Sequence, residues 1–223
     1  MAEEIKSGAA AETTSVHVIT CAGHQSAGQL KTIAEAAERF GTGEVRTDTQ
    51  GSVKIPGIAA GRAAECRAFL EEAGLPTGAA GRHIRPVTAC NASACRHGLL
   101  DADDLAREIH ERFVLGWRDV TLPAKFKISV GGCPNNCAMP NLCDVGVIGV
   151  RGGYRLLLGG RGGRRLLEGR PTQRVFADKE EILAAVERAI QLYREEGLER
   201  ERFGELIERL GPAYVEERIA GEI

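Results

Sequence analysis

Lysine is scarce: of 29 basic residues only six are Lys, against 23 Arg. Large or flexible apolar residues are also few, with one Trp, three Tyr, six Phe and two Met in 223 residues. There is no surplus of charge, since 29 Lys+Arg face 31 Asp+Glu. That balance gives no general drive toward nucleic acid or an anionic membrane. No apolar run approaches the roughly 18–20 residues that a membrane helix requires. The first 15 residues are polar and lack the charged-then-apolar order of a secretory signal. The expectation is a soluble, cytoplasmic protein without nucleic-acid or membrane partners. An apolar fraction of 43% suffices for a packed interior and excludes wholesale disorder.

Seven cysteines are present. An odd count in a reducing compartment argues against a disulfide framework, so their spacing becomes the informative feature. Before it, the chain reads as a lead-in over 1–14, then a two-layer unit over 15–76. Val16–Thr20 has strand character. Ser26 and Gln29 form a capping box for a helix reaching Phe40. Residues 44–58 predict two strands or one bent strand, and 61–72 a second helix stopped by Gly74. A second domain is expected over 77–210, followed by a tail over 211–223. It has a helix capped by Asp101 and running to Phe113, strands over 125–130, 144–150 and 154–158, and an amphipathic helix after Asp178. No internal repeat is visible.

Four cysteines form two close pairs, Cys90-Asn-Ala-Ser-Ala-Cys95 and Cys133-Pro-Asn-Asn-Cys137. Each pair lies in a loop of small residues after a predicted strand. Two such pairs can grip the corners of one [4Fe–4S] cube. Structural zinc competes, although zinc sites favour two-residue spacers, and four unligated core cysteines are a further alternative. Cys21, Cys66 and Cys143 fall outside the pattern and read as packing residues.

Lys127-Ile-Ser-Val-Gly-Gly-Cys-Pro-Asn-Asn-Cys137, followed by Asp144-Val-Gly-Val-Ile-Gly149, resembles the signature of the sulfite and nitrite reductase family. That family binds sirohaem and a [4Fe–4S] cluster. The first cysteine pair departs from its pattern, with four intervening residues instead of five. The resemblance implies an α+β fold: a ferredoxin-like half-domain followed by a sirohaem/[4Fe–4S] domain, one repeat of the sulfite reductase architecture. It implies that Cys90, Cys95, Cys133 and Cys137 ligate the cluster, with the Cys137 sulfur shared with the sirohaem iron. It further implies a six-electron reduction of sulfite to sulfide or nitrite to ammonia, fed by an external electron-donor protein.

Sirohaem carries eight carboxylates, and the arginine excess suits it. Arg46, Arg82, Arg96, Arg161, Arg164 and Arg165 are the candidate contacts, with Asn135, Asn136 and Gly160 in the motifs beside the macrocycle. Gln50 stands where some relatives carry a further Arg. Leu122-Pro-Ala-Lys125-Phe-Lys127 resembles the family's Leu-Pro-x-Lys-Phe-Lys, whose two lysines lie over the distal haem face. With Arg85 they are the candidate catalytic cations for the small anionic substrate. Two of only six lysines fall in this motif. Many relatives duplicate the unit, one copy supplying the cysteines and the other the lysines. This chain carries both sets once, which implies a homodimer with two equivalent sites. The alternatives are an electron-transfer or tetrapyrrole-binding protein on the same scaffold, and a zinc-stabilised interaction module.

Overall fold

In the computed structural model, which describes residues 12–49 and 51–221, the chain divides into two compact units. The first comprises the segment up to Thr20 together with Gln25–Gly78, and the second Cys21–His24 with Ala79 onward.

The first unit is built on a three-stranded antiparallel sheet. β1 (Thr13–Val18) and β2 (Arg46–Thr47) flank β3 (Val53–Ala59). Alternation puts Val16 and Val18 of β1 inward, opposite Ile55 and Val53 of β3. Two strands therefore occupy 44–58, separated by a turn at Gly51 with φ +76°. The capping box forms: Ser26 Oγ accepts the Gln29 N–H at 3.1 Å and Gln29 Oε1 accepts the Ser26 N–H at 2.8 Å. The resulting α1 (Ala27–Phe40) buries Ile33, Ala36, Ala37 and Phe40 against the sheet. α2 (Ala63–Glu72) starts later than the periodicity predicts, because a 3-10 turn occupies Ala60–Arg62. Cys66 lies on its buried face, and Gly74 (φ +75°) ends it.

The second unit has a five-stranded mixed sheet in sequence order. Its strands are β4 (Thr88–Ala89), β5 (Ile128–Gly131), β6 (Val145–Val150), β7 (Gly153–Leu158) and β8 (Arg170–Pro171). The first three are mutually parallel, and the last two pairings are antiparallel. β5 begins three residues after the expected start at 125. The reason is a tertiary contact: the Lys127 N–H is donated to the Asp144 carboxylate at 2.8 Å rather than to a neighbouring strand. β4 and β8, two residues each, carry too little pattern to be read from sequence.

Asp101 caps α3 (Ala102–Ile109), accepting the N–H groups of Asp103 and Asp104 at 3.1 Å. The expected helix to Phe113 then widens into a π turn over His110–Leu115. α4 (Lys179–Glu196) starts at its Asp178 cap and buries Ile182, Val186, Ile190 and Tyr193. α5 (Phe203–Leu210) and α6 (Pro212–Ala220) follow. Phe126, Tyr193 and Phe203 form an aromatic cluster with ring centroids 5.3–5.6 Å apart.

His110 opens the π turn buried, and its Nδ1 has no hydrogen-bond partner among the described residues. Burial pushes its pKa down from 6.5 to about 4. A neutral buried His must charge when the chain unfolds in acid. Its contribution is therefore fully present above pH ~6.5 and is lost as pH falls toward 4, amounting to about 3 kcal/mol at one pKa unit per 1.4 kcal/mol. Urea unfolding of wild type and His110→Leu at pH 7 and pH 4.5 measures it. The wild type is expected to lose more stability between the two pH values than the variant, and equal losses would contradict the assignment.

Candidate functional site

Because β4 and β5 run parallel, with Ala89 opposite Val130, their C-terminal ends open on the same end of the sheet. Cys90 follows β4 directly and Cys133 follows β5 by two residues. Both cysteine loops therefore start side by side. They are joined by backbone: the Cys90 N–H reaches Val130 O at 3.1 Å, and the Leu99 N–H reaches Gly132 O at 2.8 Å. The Gly132 N–H points at Cys90 Sγ at 3.1 Å. A Cβ at position 132 would lie 2.2 Å from the Cβ of Ala92, so no larger residue fits there. The four-residue spacer of the first pair is closed by the Cys95 N–H on Ala92 O at 3.0 Å.

The second loop is held internally. Asn136 takes φ +60°, donates through Nδ2 to Asn141 Oδ1 at 2.6 Å and accepts the Asn141 N–H at 3.2 Å. Ser129 Oγ donates to Ala138 O at 2.8 Å. The Asn136 amide thus serves the loop itself, whereas Asn135 is exposed. All seven cysteines are free thiols. Cys95 and Cys137 are exposed, and Cys90 and Cys133 half-buried. No group of three or more His, Cys, Asp or Glu side chains among the described residues is placed to hold a single metal ion. A cube takes each thiolate on a different iron, so its ligands need not converge on one point. Four thiols on two adjoining loops, one already receiving an N–H, suit that group. The other three thiols do not: burial pushes Cys21 and Cys143 up to about 11 and raises Cys66 as well.

A second feature of this unit is a cavity of about 470 Å³. Arg82, Lys125, Arg161, Arg164, Arg200 and Arg202 line it, with no carboxylate among the lining residues. Arg82 Nε donates to Leu122 O at 2.8 Å, and Arg161 pairs with Glu205 at 2.8 Å. Lys125, Arg164 and Arg200 form no ion pair among the described residues. Such a cavity attracts anions, and desolvation at its walls strengthens the attraction. The Lys125 ammonium is held below the ordinary lysine range, first by burial and then by Lys127, Arg202 and Arg85, with Asp144 opposing. The three candidate catalytic cations are thus electrostatic neighbours. Phe126, between the lysines, is anchored in the aromatic cluster; Lys125 lines the cavity and Lys127 precedes β5 outside its lining.

The lysines and the cysteines lie at opposite ends of β5. Lys127 precedes the strand and Cys133 follows it, a separation on the order of 20 Å for six extended steps. The remaining candidates are scattered. Arg96 donates to its neighbour His97 beside Cys95, and Arg165 pairs with Glu208 at the surface. Gly160 packs where a Cβ would lie 2.3 Å from Asn141 O. Arg46 belongs to the first unit, and Gln50 lies outside the described residues. His83 sets its Nδ1 3.1 Å from Val120 O.

Three residues of this region were not anticipated: Asp144, Arg200 and Arg202. Asp144 is fully buried and Arg202 only 9% exposed. Arg202 Nη2 contacts both Asp144 carboxylate oxygens, at 2.9 and 2.7 Å. Burial pushes the Asp144 carboxyl up, while Arg202 and the Lys127 N–H pull it back. Asp144 was marked in advance only as a strand start within the family-like signature; its partner lies 58 residues away.

Comparison with known proteins places these features. The model of the nitrite and sulphite reductase 4Fe-4S domain matches residues 80–222, and that of the nitrite/sulfite reductase ferredoxin-like half domain matches residues 8–73. An uncharacterised Methanocaldococcus jannaschii protein is 35% identical over 56% of this chain and 44% of its own length. The Bacillus subtilis nitrite reductase [NAD(P)H] is 29% identical over 84% of this chain and 22% of its own. A Xylella fastidiosa sulfite reductase [NADPH] hemoprotein beta-component is 31% identical over 78% and 31%. The chain thus spans less than half the length of these curated relatives. Among solved structures, dissimilatory sulfite reductase I superposes with a TM-score of 0.81 at 16% identity, covering 94% of this chain and 69% of that one. The Mycobacterium tuberculosis NirA protein gives 0.79 at 23%, covering 91% and 39%. These likenesses show that the chain shares the fold of both structures over most of its length.

Proposed function

Since the chain belongs to the nitrite and sulphite reductase 4Fe-4S family, we propose that it is a sirohaem- and [4Fe–4S]-dependent reductase of sulfite or nitrite, completed by a second copy of itself. The observation that carries the reading is the pair of cysteine loops leaving β4 and β5 together, with the Gly132 N–H on Cys90 Sγ. Cys90, Cys95, Cys133 and Cys137 are the proposed cluster ligands. When bound, the coupled cluster and sirohaem supply the six electrons, delivered by an external donor protein.

The chain's own residues supply charge, protons and orientation. Lys125, Lys127 and Arg85 attract the small anion, and the ammonium groups donate protons that the reduction consumes. Arg82, Arg161 and Arg164 offer guanidinium groups to macrocycle carboxylates, with Arg46, Arg96 and Arg165 as outlying contacts. One chain's lysines sit a strand's length from its own cysteines, which supports a homodimer in which each site takes cysteines from one protomer and lysines from the other. No helix among the described residues is long and apolar enough to cross a membrane.

A second reading, electron transfer or tetrapyrrole binding without turnover, is favoured by the four-residue spacer of the first cysteine pair and by Gln50 where some relatives carry an Arg. Anaerobic purification with iron, acid-labile sulfide and absorption measurement tests the proposal. Cluster plus tetrapyrrole bands, and dye-coupled consumption of sulfite or nitrite, are expected. Absence of tetrapyrrole bands after sirohaem reconstitution would overturn it; bands without turnover would favour the second reading. Light scattering should give a dimer, and a fully active monomer would remove the shared site.

A further inference from the structure

The lysine pair is held by a chain of contacts that ends on a residue remote in sequence. The Lys127 N–H is donated to Asp144 Oδ2 at 2.8 Å, and the Val145 N–H returns to Lys127 O at 3.1 Å. Asp144 is fully buried and takes Arg202 Nη2 on both oxygens. Arg202 is followed by Phe203, whose ring meets that of Phe126 edge-on at 5.3 Å, so the residue between the two lysines is clamped from the same segment. Arg202 also lines the cavity together with Lys125. Its Nε is buried without a partner among the described residues.

We infer that Arg202, acting through Asp144, is the positioning residue of the Lys125/Lys127 pair: the ion pair fixes the backbone from which Lys125 addresses an anion in the cationic cavity, with the Lys127 charge coupled to it. The inference rests on the reading that these lysines meet the substrate anion. A buried ion pair is weak ground for stability, since an apolar pair of equal volume often does as well. Its geometry here has a more specific consequence. Asp144 uses one carboxylate to hold a guanidinium and a lysine backbone N–H at once, so losing the pair frees the lysine segment at its start, before β5 begins. Displacement by about 1 Å is enough to cost an oriented contact an order of magnitude or more.

The test is a double-mutant cycle on sulfite affinity, measured calorimetrically on the full chain without cofactors. The variants are Arg202→Lys, the neutral pair Arg202→Gln/Asp144→Asn, Lys125→Ala/Lys127→Ala, and the neutral pair combined with the lysine changes. The neutral pair avoids a lone buried carboxylate and removes the charge-assisted contact that orients the side chain at position 144 toward the Lys127 N–H. Expected is a loss of affinity of about tenfold in the neutral pair and a smaller loss in Arg202→Lys. The combined variant should bind no more weakly than the lysine variant, because Arg202 acts through the lysines. Wild-type affinity in both position-202 variants, or additive losses in the combined variant, would overturn the inference while leaving the lysine reading intact. Wild-type affinity in Lys125→Ala/Lys127→Ala would instead overturn the reading on which it rests, and the inference with it. If the neutral pair fails to fold, Arg202→Lys with and without the lysine changes closes the same cycle.

Discussion

Serine in place of Cys137 is expected to leave a folded protein with less than about a tenth of the wild-type iron and acid-labile sulfide, and without tetrapyrrole absorption. Cys137 is exposed at the end of its loop, so its thiol contributes little to packing. The loop's shape is carried by Asn136, Asn141 and Ser129, whose hydrogen bonds do not involve the Cys137 side chain. The substitution removes a soft thiolate and substitutes a hydroxyl that stays protonated at neutral pH. A cube with three strong ligands and one poor one is readily lost to solvent at an exposed corner. Under the proposed sharing of this sulfur, Cys137 would help hold the macrocycle as well, so both groups would be lost together. Cys66→Ser is the matched control: Cys66 is buried in α2 of the first unit, so that variant is expected to lose stability but retain iron. Iron and sulfide assays on both, with circular dichroism for folding, decide the matter. Wild-type iron in Cys137→Ser would remove it from the ligand set.

The cysteine pairs were legible because chemistry and local geometry coincide in a few residues. Each pair sits within one loop, and small neighbours such as Ala92 and Gly132 are forced by the close approach of the two loops. The capping residues Ser26, Asp101 and Asp178 were legible for a similar reason, since each satisfies N–H groups two or three positions on. What escaped was either short or distant. β4 and β8 are two residues each and owe their existence to the longer strands beside them. The π turn after Ile109 leaves the hydrophobic period almost unchanged and so has no signature in it. Arg202 was one arginine among 23, in a highly charged stretch; only folding shows that its partner is a buried carboxylate beside the lysine segment. The late start of β5 has the same origin, because it is that carboxylate which takes the Lys127 N–H.

Alanine at Lys125 or Lys127 is expected to retain cluster and tetrapyrrole spectra and to lower kcat/KM for the anionic substrate by about a hundredfold, the usual scale for removing a positioned proton donor. Lys125 is exposed at the cavity rim, so its loss should change unfolding free energy by no more than about 0.5 kcal/mol. The two positions should differ in their pH behaviour. Burial and the neighbouring Lys127, Arg202 and Arg85 charges hold the Lys125 ammonium below the ordinary lysine range. Its protonated form is the one that attracts the anion and donates the proton. Activity carried by it is therefore present at neutral pH and is lost, as pH rises, earlier than an unperturbed lysine would allow. Lys125→Ala should remove that alkaline fall along with most of the rate. Lys127→Ala removes a like charge beside Lys125, so the residual activity should persist to higher pH than in wild type. Steady-state profiles of the three proteins between pH 7 and the alkaline limit of folding test this. Full activity in both single variants would take the lysines out of the mechanism. An unmoved alkaline fall in Lys127→Ala would show that the two ammonium groups do not sense each other.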